Sequence, residues 1–166
     1  MEYFELPYRL NQKERWLLYF TNDHDGVATD KDGTVLTFAS KDSLAAYARK
    51  KRWKLKPATQ DLDFDRVRGW LEKIDGAKPD CPALYATWNL MGDIASSLGQ
   101  ASRFPGYDTR YEPIHEELFW GCNLPGMAPA DRPYQPKFTK DELKSLQEVL
   151  AYGLELFLTN KKDLPE

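Results

Sequence analysis

The sequence predicts an α+β fold, with a small N-terminal antiparallel sheet packed on a layer of about four helices, in a single domain spanning residues 1–166. Three observations carry this expectation. Up to about Ser40, runs of β-forming residues alternate with Asp/Gly turns. After Ser40, apolar residues recur at helical spacing. The strands come first and the helices follow, without the strand–helix alternation that builds a doubly wound parallel sheet.

Taken in order, "RWLLYFTND" reads as a strand, since Trp16 to Phe20 are β-formers running into a polar turn. "DHDG" (Asp23 to Gly26) and "DKDG" (Asp30 to Gly33) read as turns, with Gly33 suited to a positive φ. "VAT" and "TVLTFAS" then complete a meander of about three strands. Ser40 caps a helix with Leu44, Tyr47 and Ala48 on one face, and the basic run at its C-terminal end complements the helix dipole before Lys56-Pro57 stops it. Asp61 or Asp63 caps a second helix carrying Phe64, Val67, Leu71 and Ile74, which Gly76 ends. A longer helix starts at Pro82, with its stripe at Leu84, Trp88, Met91, Ala95 and Leu98 and a stop at Gly99. "EPIHEELF" suggests a short helix. Thr139 and Glu142 form a capping box ahead of the stripe Leu143, Leu146, Leu150, Leu154, Phe157 and Leu158, followed by a polar tail. Between the last two helices runs "ELFWGCNLPGMAPADRPYQP", too rich in Pro and Gly for regular structure and too apolar for a solvated loop. Its Phe119, Trp120 and Leu124 are expected to be buried as a brace over the Trp88 helix.

Composition narrows the function classes. Mean hydropathy is −0.65, no apolar run approaches a bilayer span, and the N-terminus lacks the basic-then-apolar pattern of a secretory signal, so a cytoplasmic protein without membrane partners is expected. Cys81 and Cys122 form no C-x-x-C pair and are expected as reduced thiols; with His24 and His115 as the remaining soft ligands, no metal or other cofactor is expected. Net charge is −3, but "RKKRWKLK" (Arg49 to Lys56) holds six positive charges, which leaves about −9 for the rest of the chain.

Several groupings invite chemistry. "NDHDGVATDKDG" lacks the ligand set of a calcium loop and reads as two hairpin turns. His115, with Glu112, Glu116 and Glu117, reads as a solvated helix face rather than the acid–base centre of a hydrolase, since no nucleophile motif accompanies it. Asn89 and Asp93, four apart on the long helix, read as a polar brace. The basic run with Trp53 interleaved is the mixture a nucleic-acid-binding module uses, but the acidic remainder of the chain would repel phosphate. Carboxylates gather on turns and a helix start, where binding residues tend to sit: Asp23, Asp25, Asp30, Asp32, Asp61, Asp63 and Asp65.

The ordered set "VLTFASKDSLAAYA", "TWNLMGDIASSLG", "LFWGCNLPGM" and "YQPKFTKDELKSLQEVLAYGLELF" resembles immunity proteins of contact-dependent growth inhibition and related polymorphic toxin systems. The resemblance covers most of the chain after about Leu17. It implies a non-enzymatic partner of a cognate toxin's C-terminal domain, binding it in the cytoplasm and covering its active site. Many such toxins are nucleases with basic surfaces, which the acidic carboxylates above would meet; the basic run departs from that picture. No contact residue is carried over from the family.

Overall fold

A computed structural model describes residues 1–60, 62–73 and 78–165; Asp61, Ile74 and Gly76 lie outside the described residues. The chain opens with a long hairpin. β1 (Glu2–Leu10) and β2 (Lys13–Thr21) pair antiparallel along their whole length. They are joined by Asn11 and Gln12, whose φ values of 52° and 61° are those of a type I′ turn. β3 (Gly26–Val27) and β4 (Val35–Phe38) return antiparallel on β2. The antiparallel centre is therefore as the sequence predicts, with β1 added to it.

The finished sheet is mixed. β5 (Leu55–Pro57) and β6 (Leu62–Asp63) add in parallel to the outer edge of β1, and β7 (Lys161–Leu164) adds in parallel to β4. The order is β5-β1-β2-β4-β7, with β3 on β2 and β6 on β1. Pro7, which has no N–H for a ladder, falls between the β1 residues paired with β5 and those paired with β6. Two expectations are corrected. The polar tail is an edge strand, and the basic run does not all belong to the helix end: α1 (Lys41–Lys50) stops before Lys51, Arg52 takes φ 62°, and Leu55–Pro57 turns into the sheet.

Alternation along the strands gives the sheet two apolar faces. Leu18, Leu36 and Phe38 face Leu44 and Ala48 of α1. Leu6, Tyr8, Leu17 and Val35 face a thicker layer made by α2 (Phe64–Glu72), α3 (Cys81–Ser97) and α5 (Lys140–Thr159). Local chemistry sets the helix starts. Ser40 and Thr139 each form a capping box, Asp63 accepts from the Arg66 N–H at 2.9 Å, and Asp80 accepts from Ala83 N–H with Pro82 in the first turn. At the α3–α5 crossing, a Cβ on Gly153 would lie 2.5 Å from Met91 Cβ, so glycine is what lets these helices touch.

Between α3 and α4 (Glu112–Gly121), Gln100 to Tyr111 runs through three single 3-10 turns. The Pro/Gly tract after α4 is braced, but not as expected. Trp120 is 39% exposed and Leu124 46%, while Phe119 is half-buried against Tyr85. Asn123, at φ 49°, holds the tract instead. Its amide donates to Tyr134 O at 3.0 Å and accepts from Tyr134 N–H at 2.6 Å, and the Tyr134 hydroxyl donates to Glu117. With backbone polar groups satisfied by Asn123, burial of Trp120 is not needed to fix the path.

Candidate functional site: an acidic cleft on the third helix

α3 is amphipathic in a particular way. Its stripe of Leu84, Trp88, Met91 and Ala95 is buried, while Asn89 and Asp93 stand one turn apart off that stripe. Their side of the helix is the floor of a cavity of about 510 Å³. Tyr19 of β2, Asp25 of the turn after it, Gln60, Tyr107 of a 3-10 turn, and Glu112 and His115 of α4 complete the walls. Two glycines bring the walls close. A Cβ on Gly92 would sit 2.8 Å from Tyr107 Oη, and one on Gly106 would sit 2.4 Å from Phe104 Cε1 and 2.8 Å from Trp88 Nε1.

The polar groups are tied in pairs across elements. The Tyr19 hydroxyl donates to Asp93 Oδ2 at 2.8 Å. His115 Nε2 lies 2.8 Å from Asn89 Oδ1; an amide oxygen accepts, so Nε2 carries the proton in this bond. The His115 ring packs between Tyr85 and Trp88, with centroids at 4.9 and 5.2 Å. Tyr107 Oη meets Ser96 Oγ at 3.2 Å. The expectation of a brace at Asn89 and Asp93 therefore holds, each residue anchoring a different neighbour. The expectation of a solvated face at His115 does not: α3–α4 packing turns the ring inward, and Glu112 comes into the cleft with it.

Burial sets the protonation states. It pushes the Asp93 carboxyl up to about 6; the Tyr19 hydroxyl works against this and the like charge of Asp25 adds to it. Burial also lowers the His115 imidazole below its ordinary value, which keeps it neutral at pH 7. Tyr19 and Tyr107 are held up by burial, Asp93 contributing in both cases, so both stay protonated donors. At neutral pH the cleft thus holds an ionised, half-buried Asp93 with Asp25 and Glu112 nearby, and among the described residues no lysine or arginine lines it. Among the same residues no serine, threonine or cysteine lines it either.

The seven carboxylates singled out in the sequence are not brought to one place. Of the six that lie among the described residues, Asp25 alone lines the cleft. Asp30 turns inward to accept from the Asp32 and Thr34 N–H groups, at 3.0 and 2.9 Å, and its carboxyl is held below the usual range chiefly by Thr34. Asp63 caps α2, and Asp65 accepts both N–H groups of the Asn11–Gln12 turn at 2.7 Å. These three serve the fold. Asp23 and Asp32 are exposed, and Asp61 lies outside the described residues. In the basic run, one face of Trp53 is taken by stacking on Tyr3, at 4.4 Å and 13°, and Lys56 pairs with Glu2. Cys81 and Cys122 are free thiols; Cys81 is buried, which pushes it up to about 11. Tyr19, Gln60 and Tyr107 were not marked by the sequence, because each reaches the cleft from a separate element with no local pattern.

No protein-family model matches the chain, and no curated protein matches its sequence. Among solved structures it is similar to one described as the crystal structure of SatS c-terminal domain in complex with bromine. The identity is 10% and the TM-score 0.60, over 98% of this chain and 94% of that one, a likeness of fold. Among the described residues, no helix is long and apolar enough to cross a membrane.

Proposed function

We propose that this chain is a non-enzymatic inhibitor that binds a cognate toxin domain, as its resemblance to contact-dependent growth inhibition immunity proteins implies, and that it receives a basic part of that partner at the α3 cleft. The observation that carries this reading is the lining: Asp25, Asp93 and Glu112 come from a turn, α3 and α4, and among the described residues no lysine or arginine lines the cleft with them. Such a concavity focuses negative potential, steers a basic surface during encounter, and pairs with it on contact. The exposed Asp23 and Asp32 add to the steering field. A nuclease domain, whose active site is built to hold phosphates, is the partner chemistry this field suits best.

Co-expression with the product of the adjacent upstream reading frame tests the reading. A stoichiometric complex and loss of that product's toxicity are expected; separate elution with toxicity unchanged overturns it. A second reading, acid–base catalysis by a hydrolase, draws on Asp93 and a neutral His115 sharing one cleft. Turnover of ester or phosphodiester substrates that His115→Ala abolishes would favour it. A nucleic-acid-binding role for Arg49–Lys56 is the reading to adopt if a low-salt gel shift with generic RNA or DNA is lost on neutralising Arg49 and Arg52.

A further inference from the structure

We infer that the α3 cleft is a receptor for a guanidinium group, supplied by an arginine side chain of the protein partner. This rests on the reading above and adds what the cleft itself would hold. Asp93 is an anomaly in a folded protein: a half-buried carboxylate whose bonded partner is a neutral hydroxyl. Carboxylates removed from water are ordinarily met by a cation or by several N–H donors. Among the described residues, the ion pairs use Glu2, Glu5, Asp30, Asp80, Asp108 and Asp163, and none uses Asp93, Asp25 or Glu112. Among the described residues no cation meets these carboxylates, which leaves the place open to a cation from a partner.

The shape and the walls select among cations. No group of three or more His, Cys, Asp or Glu among the described residues is placed to hold a metal ion, so the carboxylates are too dispersed for a compact divalent ion. A planar ion with donors in several directions suits dispersed acceptors. Guanidinium offers five N–H donors in a fixed plane to Asp93, Asp25, Glu112 and the amide oxygen of Gln60. It is also more weakly hydrated than ammonium, and it stacks on aromatic faces, for which Tyr19 and Tyr107 line the cleft. At about 510 Å³ the cavity has room for the alkyl stem and flanking backbone as well.

Binding is linked to pH through every titratable group that faces Asp93: Tyr19 from β2, Asp25 from the following turn, Tyr107 from the 3-10 turn, and Glu112 and His115 from α4. Tyr19 and Tyr107 stay protonated, while the rise from pH 5 to 7 ionises Asp93 and removes any positive charge from His115, and both changes favour a cation. Guanidinium affinity therefore rises over that interval.

The test uses the full chain and three small probes read by ¹H–¹⁵N NMR at the Gly92 amide and the Trp88 indole: ethylguanidinium, ethylammonium and the neutral planar isostere ethylurea. Saturable shifts with ethylguanidinium in the millimolar range are expected, weaker at pH 5 than at pH 7.5 and at least about tenfold weaker in Asp93→Asn. That variant keeps an acceptor for Tyr19, so its spectrum should remain that of the folded protein. Equal binding of ethylammonium overturns the guanidinium assignment, equal binding of ethylurea overturns the role of charge, and no saturation with any probe overturns the site. Ethylguanidinium binding without a toxin complex would leave the receptor standing and remove the immunity reading. A toxin complex whose affinity Asp93→Asn leaves unchanged would do the reverse.

Discussion

Replacing Asp93 with Asn should make the protein more stable at neutral pH, and the size of the gain should follow pH. The folded-state carboxyl sits at about 6 against an ordinary 3.8. Below pH 3.8 it is protonated in folded and unfolded chains alike and contributes no difference. Between there and about 6 the unfolded chain has released its proton while the folded one keeps it, so stability falls as pH rises; above about 6 the full penalty is present. Two pKa units at about 1.36 kcal/mol each set a ceiling of about 3 kcal/mol. The side chain keeps part of its hydration, and solvent screening brings the expectation to about 1–2 kcal/mol. Asn still accepts from the Tyr19 hydroxyl, so that donor keeps its partner. Urea unfolding at pH 4, 5, 6 and 7.5 reads the result: the variant should match the parent at pH 4 and exceed it by about 1–2 kcal/mol at pH 7.5, or about 3–6 °C in Tm for a chain of this size. A variant no more stable at pH 7.5, or a gain that does not change with pH, refutes the account of Asp93 as an uncompensated charge. A gain accompanied by weaker toxin binding would mark a residue kept for its partner at the expense of the fold.

Other substitutions separate packing from exposure. Gly153→Ala gains up to about 1 kcal/mol of helix propensity but drives a methyl into Met91, so a net loss of about 1–2 kcal/mol is expected by urea denaturation. Trp88→Ala should cost about 3–5 kcal/mol, whereas Trp120→Ala, on an exposed ring, should cost under about 1 kcal/mol; equal losses would contradict the placement of Trp120. Asp65→Ala removes the acceptor for both N–H groups of the Asn11–Gln12 turn and should cost about 2 kcal/mol. Asp23→Ala with Asp32→Ala should leave stability within about 0.5 kcal/mol while flattening the salt dependence of toxin association in stopped-flow measurements. The imidazole of His115, followed by NMR, should titrate below its ordinary 6.5, since burial disfavours its charged form.

What was legible in the sequence was whatever a few neighbouring residues decide. Ser40 and Thr139 announce helices because a capping hydroxyl needs only a donor three residues on, and Gly33 and Gly99 announce turns because a positive φ is a one-residue property. β1 was missed although Leu6, Tyr8 and Leu10 alternate correctly, because Pro7 interrupts the pattern of a central strand. Its tolerance there depends on the gap between β5 and β6, which no stretch of β1 encodes. β5, β6 and β7 were missed for a related reason. Strands of two to four residues have little local preference, and "KKDL" is a strand because the edge of β4 offers it partners.

The cleft was half legible, and the half that was not explains why counting charge misdirects. Asn89 with Asp93 and Glu112 with His115 were visible as local pairs, but nothing in either spacing says that α4 packs across α3, or that Tyr19, some seventy residues earlier, closes on Asp93. An excess of carboxylates by itself points to turns. There, Asp30, Asp63 and Asp65 direct their charge to backbone N–H groups and offer little of it to a partner. A carboxylate in water is already solvated, and an ion pair formed there gains little. Asp93 is different because folding has removed part of its water without supplying a cation, so an arriving guanidinium regains what folding took away. The strength of such a site is set by how much solvation its carboxylate lost on folding, a quantity fixed by the packing of α3, α4 and β2 around one side chain.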